Sequence, residues 1–336
     1  MSALPSHPQA ARIKSAGNTG GPTLYVLNQE SGPQVTVTTY SGGGASLLRS
    51  INVGTYNGGY QVGFAVDPSG RLYASAAPQR DAVLTIYTNR GAKIVRTLYQ
   101  THPFSVLMLD GTSNLYTFCA AARVCEYAKA KQRIIRRLPK ANPPLAVDAS
   151  GDLALFEGQD SLRVFAPGHS QPYWQITSGV NSSVDALAFD PSGNLYAANR
   201  GVNQGDPGSV AVYAPGDSSP SRIITGGIVH PMALAVDGAG NLYALNMGGA
   251  PSNSVTVYAP GGSEPIRTIT DGVVGSGMPG AGSPLALDAS GDLYVANAAV
   301  AQKNAGSVTV YPPGGTSPIR TVTQSVQNPV AVGIGP

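Results

Sequence analysis

Few side chains in this sequence can act as acids, bases or metal ligands. Its 336 residues include 14 Asp, 4 Glu and 4 His, and most of the Asp residues fall in one repeated segment. His7 lies in the predicted leader and His169 in a repeated hairpin, which leaves His102 in THPF and His230 in VHPM. Because imidazole titrates near neutral pH, His102 and His230 are candidate general bases or ligands. The alternative is a pair of solvent-exposed loop histidines without a chemical role.

Asp185 is a third candidate catalytic residue, five positions before a repeated Asp and inside the apolar segment VDALAFD. Asn328 is its counterpart near the C-terminus, and Glu157 ends an apolar run on the same predicted face. Carboxylate and amide oxygens bind hard cations, so these three residues are candidate ligands for calcium or magnesium. The sequence assigns no metal site and no cofactor, with a divalent cation as the alternative. The residues that match Asp185 in the other repeats carry no charge: Val62, Ser105, Pro143, Met232 and Ser283.

A repeated unit must position these candidates. The segment FDPSGNLYAAN at Phe189 returns as VDPSGRLY, LDGTSNLY, VDASGDLA, VDGAGNLY and LDASGDLY, and the successive Asp residues are 43, 38, 42, 47 and 51 positions apart. Each period holds four short apolar runs bounded by Gly, Pro, Ser or Asn, which predicts four strands and almost no helix. The Asp can accept hydrogen bonds from turn amides while Gly supplies positive φ, so the motif is predicted to be structural. The Asn that closes segments such as LYAAN is interpreted in the same way, with a sugar-binding ring as the alternative.

Four strands in about 44 residues are typical of a β-propeller blade. The N-terminal region supplies three apolar runs within residues 24–53 without a first strand, and residues 329–334 supply a first strand with nothing after it. Together they complete one blade, so we predict an all-β fold of seven four-stranded antiparallel blades closed by both ends of the chain. Residues 23–336 would form a single propeller domain, and residues 1–22 a flexible leader.

The pattern PxALAVDxxGNLYxxNxxxxSVTVY resembles the NHL-repeat propellers and their bacterial relatives, including the virginiamycin B lyase-like group. The resemblance covers residues 23–334 and implies the propeller fold. Lactonase-like propellers place Asn or Asp ligands to a channel calcium just before the first strand, which implies such a role for Asp185. The lyase group uses a Glu-x-His pair with magnesium. None of the four Glu residues has a His two positions later, so those catalytic residues are not carried over: Glu30, Glu126, Glu157 and Glu264.

One face of the ring is predicted to carry function. The APGxSxP hairpins at Ala166, Ala214 and Ala259 are near copies, whereas the loops of the other face differ from blade to blade. Variable loops on a rigid scaffold usually carry binding. These loops begin at Asn52, Asn199, Asn246, Thr270 and Asn297. The residues predicted to converge at the channel mouth and bind ligand are Tyr60, His102, Asp185, His230 and Asn328.

Charge and cysteine usage limit the partners. Charged residues make up 12% of the chain, and the low charge of the long loops argues against nucleic acid and favours a protein, glycan or small-molecule ligand. Residues 123–140 hold seven basic residues against one acid, either a stripe that attracts polyanions or a solvated outer strand pair. No apolar run is long enough to span a membrane. Cys119 and Cys125 are predicted to form a disulfide, with free buried thiols as the alternative.

The sequence therefore predicts a monomeric bacterial binding protein in a secreted, periplasmic or lipid-anchored setting. Its ligand would bind on the loop-rich face. The alternative is a lyase or lactonase-type enzyme whose site lies at the mouth of the central channel.

Overall fold

The computed structural model describes residues 21–30, 34–55, 62–76, 82–88, 90, 93–100, 106–130, 133–158, 160–201, 207–248, 253–275, 283–298 and 306–336. Within these ranges the chain forms 28 β-strands, short 3-10 turns and no α-helix. The strands make seven separate four-stranded antiparallel sheets, the blades of a propeller. The predicted all-β, seven-bladed fold is confirmed. No helix in the described ranges is long and apolar enough to cross a membrane.

Blades 1 to 3 contain the long outer strands. Blade 1 consists of β1 (Thr23–Gln29), β2 (Gln34–Ser41), β3 (Ser46–Thr55) and the C-terminal strand β28 (Pro329–Gly335). Blade 2 consists of β4 (Gly63–Val66), β5 (Leu72–Ala76), β6 (Ala82–Tyr87) and β7 (Ile94–Gln100). Blade 3 consists of β8 (Met108–Leu109), β9 (Leu115–Cys119), β10 (Arg123–Tyr127) and β11 (Ile134–Lys140), with 3-10 turns at Ala120–Ala122 and Ala128–Ala130.

Blades 4 to 7 follow the same order from the first strand to the fourth. Blade 4 consists of β12 (Asn142–Val147), β13 (Leu153–Gly158), β14 (Ser161–Phe165) and β15 (Trp174–Ile176). Blade 5 consists of β16 (Val184–Phe189), β17 (Leu195–Asn199), β18 (Ser209–Tyr213) and β19 (Arg222–Ile224). Blade 6 consists of β20 (Pro231–Val236), β21 (Leu242–Met247), β22 (Asn253–Tyr258) and β23 (Arg267–Ile269). Blade 7 consists of β24 (Leu285–Leu287), β25 (Leu293–Ala298), β26 (Gly306–Tyr311) and β27 (Arg320–Val322).

The two ends of the chain close the ring as predicted. β1 pairs antiparallel with β28, so that Val26 lies opposite Val332 and Leu24 opposite Ile334. The hydroxyl of Thr23 donates a hydrogen bond to the last carbonyl of the chain, 3.1 Å away. Blade 1 is therefore built from segments at opposite ends of the sequence. Its innermost strand, β28, is the last strand of the chain.

The repeated Asp holds the turn between the first and second strands. Oδ1 of Asp190 accepts hydrogen bonds from the amides of Ser192 (2.8 Å) and Asn194 (2.9 Å). Its Oδ2 accepts bonds from the amide group of Asn194 (2.8 Å) and the hydroxyl of Tyr196 (3.2 Å). A Tyr six positions later contacts the Asp in the same way in four other blades, at Asp67, Asp110, Asp237 and Asp288. These carboxylates are fully used by the fold, so the structural interpretation of the motif is confirmed.

Apolar cores lie between neighbouring blades. One of them joins blades 4 and 5 through Leu162, Trp174, Leu187, Ala197 and Tyr213, all buried. The four-stranded sheets present side chains on both faces, so each blade contributes to two such cores. The second strands are therefore almost completely buried.

At two of the blade junctions, an arginine of the fourth strand joins one blade to the next on the APGxSxP face. Nη1 of Arg136 in blade 3 donates to the carbonyls of Ala166 and His169 in blade 4, both at 2.7 Å. Nη1 of Arg320 in blade 7 donates to two hairpin carbonyls of blade 1, those of Gly42 (2.7 Å) and Gly43 (2.9 Å). These two arginines thus serve the packing of neighbouring blades.

Candidate functional site

The innermost strand of each blade lines the centre of the ring. Each of these strands contacts the corresponding strand of the next blade, and the seven form a closed inner ring: β4, β8, β12, β16, β20, β24 and β28. The segments that enter them lie beside the ends of the second strands. In blade 5 the amide of Arg200, just after β17, donates to the carbonyl of Ser183, just before β16, at 2.9 Å. Residues at the start of a first strand therefore lie on the face opposite the APGxSxP hairpins.

A β-bulge presents Asp185 at this position. Val184 pairs with Asn199 and Ala186 pairs with Ala198, so Asp185 is the extra residue between two paired positions. Bulges re-aim a side chain and are over-represented next to active sites. The side chain of Asp185 is only 9% exposed, and its Oδ2 lies 3.3 Å from Nε of Arg200. The bulge thus places a largely buried carboxylate beside a cation.

Burial raises the pKa of Asp185, because removal from water disfavours the charged carboxylate. Arg200 and His230 lie close enough to act in the opposite direction, and the net shift of the pKa remains upward. Asp185 therefore binds a proton at higher pH than an exposed aspartate does. A carboxyl group in this environment can both accept and donate protons.

His230 lies close enough to Asp185 to act against the rise of its pKa, and Arg200 contacts the same carboxylate; these three residues are called the cluster below. His230 immediately precedes β20 and has a φ of 48°, an uncommon backbone conformation for a residue with a side chain. Its carbonyl accepts a hydrogen bond from the amide of Met247 at 3.1 Å, which fixes the backbone. Its Nδ1 is buried and makes no hydrogen bond to any described residue. A buried polar atom of this kind costs free energy in the absence of a partner, so it marks a place where a ligand can bind.

Arg200 is the member of this cluster that sequence reasoning missed. It directly follows the repeated Asn199, where the other blades that keep the Asn carry Gln29, Met247 and Ala298. The departure from the repeat was the available signal, since Arg200 and Asp185 both replace uncharged residues in the same blade. Their proximity could not be read from the chain, because it depends on the bulge between β16 and β17.

The repeated Asn residues hold the segments that enter the first strands. Oδ1 of Asn199 accepts a hydrogen bond from the amide of Asn181 (3.1 Å), and Oδ1 of Asn297 accepts two, from Val274 (2.7 Å) and Gly275 (2.9 Å). Asn246 and Asn28 do the same for the amides of Val229 and Gln327. Their predicted structural role is confirmed, although the segment they hold precedes the first strand rather than following the second.

The predicted equivalence of Asn328 with Asp185 is wrong. The register between β1 and β28 makes Val330 the bulged residue of blade 1. Asn328 instead matches His230, because both precede a proline, both have positive φ (44° and 48°) and both accept a hydrogen bond from the residue after the repeated Asn. Blade 1 lacks the Asp from which the positions were counted, and the count slipped by two residues.

Glu157 is held within blade 4. Its Oε2 lies 2.8 Å from Nε of Arg163, so the carboxylate has a cationic partner of its own. Across the described ranges, no three His, Cys, Asp or Glu side chains stand close enough to hold a metal ion. A divalent cation bound by Glu157, Asp185 and Asn328 stays a prediction.

Tyr60 and His102 lie outside the described residues, and so do the central parts of the long loops. Of the five residues predicted to converge, the structure brings Asp185 and His230 together and adds Arg200 to them. Cys119 and Cys125 are joined by a disulfide that links β9 to β10.

No protein-family model matches this sequence, and no curated protein matches it either. Solved structures do share the fold. A functionally unknown protein from Desulfotomaculum acetoxidans has a TM-score of 0.69 at 14% identity, over 94% of this chain and 99% of that one. A protein from Lactobacillus plantarum has a TM-score of 0.65 at 15% identity, over 94% and 99%. A protein from Bacteroides fragilis described as a putative 6-phosphogluconolactonase has a TM-score of 0.63 at 13% identity, over 96% and 99%.

The likeness is one of fold. Propellers of one architecture host unrelated functions, so similarity at this level of identity carries no site residue to this chain. The relation to NHL-repeat propellers and to the virginiamycin B lyase-like group stays a prediction.

Proposed function

We propose that the protein is a binding module whose site is the cluster of Asp185, Arg200 and His230 at the mouth of the central channel. The observation that carries the proposal is a buried carboxylate on a bulge beside a histidine whose Nδ1 has no partner in the described structure. The opposite face supports it by contrast, since the turn carboxylates and hairpin carbonyls there are used by the fold.

The chemistry of the cluster favours a hydroxyl-rich ligand such as a glycan. A carboxylate and an imidazole nitrogen accept hydrogen bonds from hydroxyl groups, and a guanidinium donates to ring or hydroxyl oxygens. Binding sites for uncharged ligands commonly set a few polar groups in a largely apolar concavity. The low charge of the surrounding loops is compatible with such a ligand. Placement outside the cytoplasm belongs to the same proposal, supported by the disulfide.

A glycan array followed by calorimetry tests the proposal. Asp185→Asn and His230→Gln are expected to weaken binding of any glycan that the wild type retains, by about ten-fold or more for each lost charge-assisted hydrogen bond. Asp160→Asn and His169→Gln are the matched controls, since both residues are exposed and neither is among the charged groups that act on Asp185. Equal loss in the controls, or full binding by both site variants, would place the ligand elsewhere.

A lactonase or lyase activity is the second candidate function. The raised pKa of Asp185 beside His230 is the observation that favours it, because such a pair can move a proton to or from a reacting oxygen. Ring opening of sugar lactones should be followed with and without a chelator of divalent cations. Turnover that is lost in both His230→Gln and Asp185→Asn and kept in both controls would establish an enzyme. A rate for the wild type equal to the uncatalysed rate would favour the binding module.

A further inference from the structure

Charge is segregated around the ring. Among the described residues, every exposed cationic side chain lies in blades 1 to 3, and every exposed Asp or Glu lies in blades 4 to 6 or just after blade 6. The exposed cations are Arg49, Arg71, Lys93, Arg96, Arg123, Lys129, Arg133, Arg137 and Lys140. The exposed acids are Asp160, Asp217, Glu264 and Asp271.

The acids of blades 2 and 3 do not offset this charge at the surface. Asp67, Asp110 and Glu126 are the acids described there, and they are 2%, 4% and 3% exposed. Glu126 is paired with the buried Arg136 at 2.7 Å, and the two Asp residues hold turns. Blades 2 and 3 therefore present cations with no exposed carboxylate within the described ranges, and the field outside them is positive.

Their outer strands are also long and partly apolar. β7 and β11 contain seven residues each, whereas the fourth strands of blades 4 to 7 contain three. Val95 and Tyr99 on β7 are 51% and 64% exposed, and Ile135 on β11 is 46% exposed. Blades 2 and 3 share a core that includes Leu98 and Tyr127, so the two outer strands are held in a fixed relation.

We propose that the outer edge of blades 2 and 3 docks on an anionic lipid bilayer. The cations would lie among the phosphate groups, where each is attracted by the surface potential. The exposed side chains of Val95, Tyr99 and Ile135 would enter the interface, where apolar area adds to the electrostatic attraction and aromatic rings are preferred. A soluble polyanion would engage the same cations but would leave the aliphatic side chains in water.

Protection of an outer edge explains only part of this surface. Charged residues and Pro on an edge strand prevent pairing with other chains, and Arg137 and Pro139 on β11 fit that role. The exposed Val95 and Tyr99 have the opposite effect on β7, since they make its edge more apolar. A membrane surface accounts for the cations and the apolar side chains together.

Sedimentation with vesicles tests the proposal. The protein is expected to bind vesicles of phosphatidylcholine with phosphatidylglycerol, to bind phosphatidylcholine alone weakly, and to lose binding as salt is raised. Arg133→Gln, Arg137→Gln and Lys140→Gln together should lower the partition coefficient by about a hundred-fold, at about five-fold for each basic side chain. Unchanged binding by this triple variant would overturn the proposal.

A variant with its net charge restored distinguishes a local cationic surface from an effect of the overall charge. Asp217→Asn, Glu264→Gln and Asp271→Asn added to the triple variant restore the wild-type net charge of the chain. Binding that stays weak supports a local surface, whereas binding restored to the wild-type level would show that only overall charge matters. Tight binding to a DNA duplex without binding to vesicles would identify a polyanion site instead and would also overturn the proposal.

The apolar contribution has its own readout. Tyr99→Trp should show a blue shift of Trp emission on anionic vesicles, against a constant signal from the buried Trp174. Ile266→Trp, at an equally exposed position in blade 6, where the exposed charges are acidic, should show no shift. Tyr99→Ser with Ile135→Ser should weaken binding several-fold, while Ile266→Ser with Ile319→Ser should not. Equal loss of vesicle binding from the two pairs of Ser substitutions would contradict docking through blades 2 and 3.

Discussion

Oδ1 of Asn28 accepts a hydrogen bond from the amide of Gln327 at 3.1 Å, and so connects residues 299 positions apart in the chain. The same side chain donates to Oγ1 of Thr38 at 3.0 Å. Its counterpart Asn199 makes the equivalent contact to an amide only 18 positions away. A contact that is local in blade 5 thus spans the closure of the ring in blade 1.

Deletion of residues 329–336 should severely reduce thermal stability. The deletion removes β28, leaves the inner edge of β1 unpaired and exposes the core that β28 shares with blades 1, 2 and 7. Thermal and urea unfolding measure the loss. A truncated chain that melts at the wild-type temperature would contradict closure by the C-terminal strand.

Asn28→Ala and Asn199→Ala each remove the Oδ1 acceptor of a backbone amide, that of Gln327 in blade 1 and that of Asn181 in blade 5. Each should cost about 1–3 kcal/mol of unfolding free energy, because a partly buried amide loses its acceptor. Hydrogen exchange should distinguish them. Only Asn28→Ala is expected to speed exchange of the β28 amides, since of these two Asn residues only Asn28 contacts the segment that leads into β28.

Removal of the Tyr196 hydroxyl should lower the free energy of unfolding modestly, and replacement of the Asp190 carboxylate by an amide should lower it more. Tyr196→Phe deletes one donor to Asp190 and should cost about 0.5–1.5 kcal/mol. Asp190→Asn sets an amide donor among groups that also donate, so it should cost more. Tyr99→Phe is the matched control, because Tyr99 is 64% exposed. Urea unfolding in which Tyr196→Phe is the more damaging change would contradict the assigned hydrogen bonds.

Stability should fall steeply above about pH 10. Burial, followed by the neighbouring Asp190, raises the pKa of Tyr196 to about 12, and burial likewise raises the pKa of Tyr213 and Tyr258. Because these groups bind protons more tightly when folded, their contribution is complete below the unfolded pKa and is lost as pH rises toward the folded value. Tyrosinate absorbance should therefore appear together with unfolding. Gradual ionisation of the buried tyrosines in a folded protein would contradict this expectation.

The repeat made the architecture predictable because every blade solves the same local problem with the same residues. Asp190, Gly193 and Tyr196 set a turn through contacts within seven residues, so the chain itself carries the information. The charge of the outer edge is less accessible from sequence. Arg136 and Arg137 stand in one basic run, yet Arg136 is buried against Glu126 and Arg137 is exposed.

The candidate site was only partly predictable for a related reason. Asp185 and His230 could be found as departures from the repeat. Arg200 could not be joined to them, because a bulge has no signature in this sequence and decides which side chains meet. The wrong counterpart for Asp185 in blade 1 had another cause, since blade 1 lacks the repeated Asp from which the positions were counted.

Loss of the disulfide should cost about 2 kcal/mol. Cys119 and Cys125 are six positions apart, and closure of so small a loop restricts the unfolded chain only modestly. Cys119→Ser with Cys125→Ser should lower the free energy of unfolding measured in urea by that amount, and a reductant should lower the wild type to the same level. A reductant that also destabilises the double variant, or free thiols found in the unreduced protein, would contradict the assignment.

Asp185→Asn should leave stability unchanged or raise it at neutral pH. The net pKa of Asp185 is raised, so its contribution to stability is complete below the unfolded value and is lost as pH rises through the folded value. The ionised carboxylate is therefore a net cost near pH 7, despite the ion pair with Arg200, and the amide removes that cost. Urea unfolding should show the variant at least as stable as the wild type at neutral pH. At about pH 4 the wild type should gain stability relative to the variant. Destabilisation by more than about 1 kcal/mol at neutral pH would show instead that the carboxylate serves the fold. Stability retained together with lost ligand binding is the combination expected of a residue kept for function.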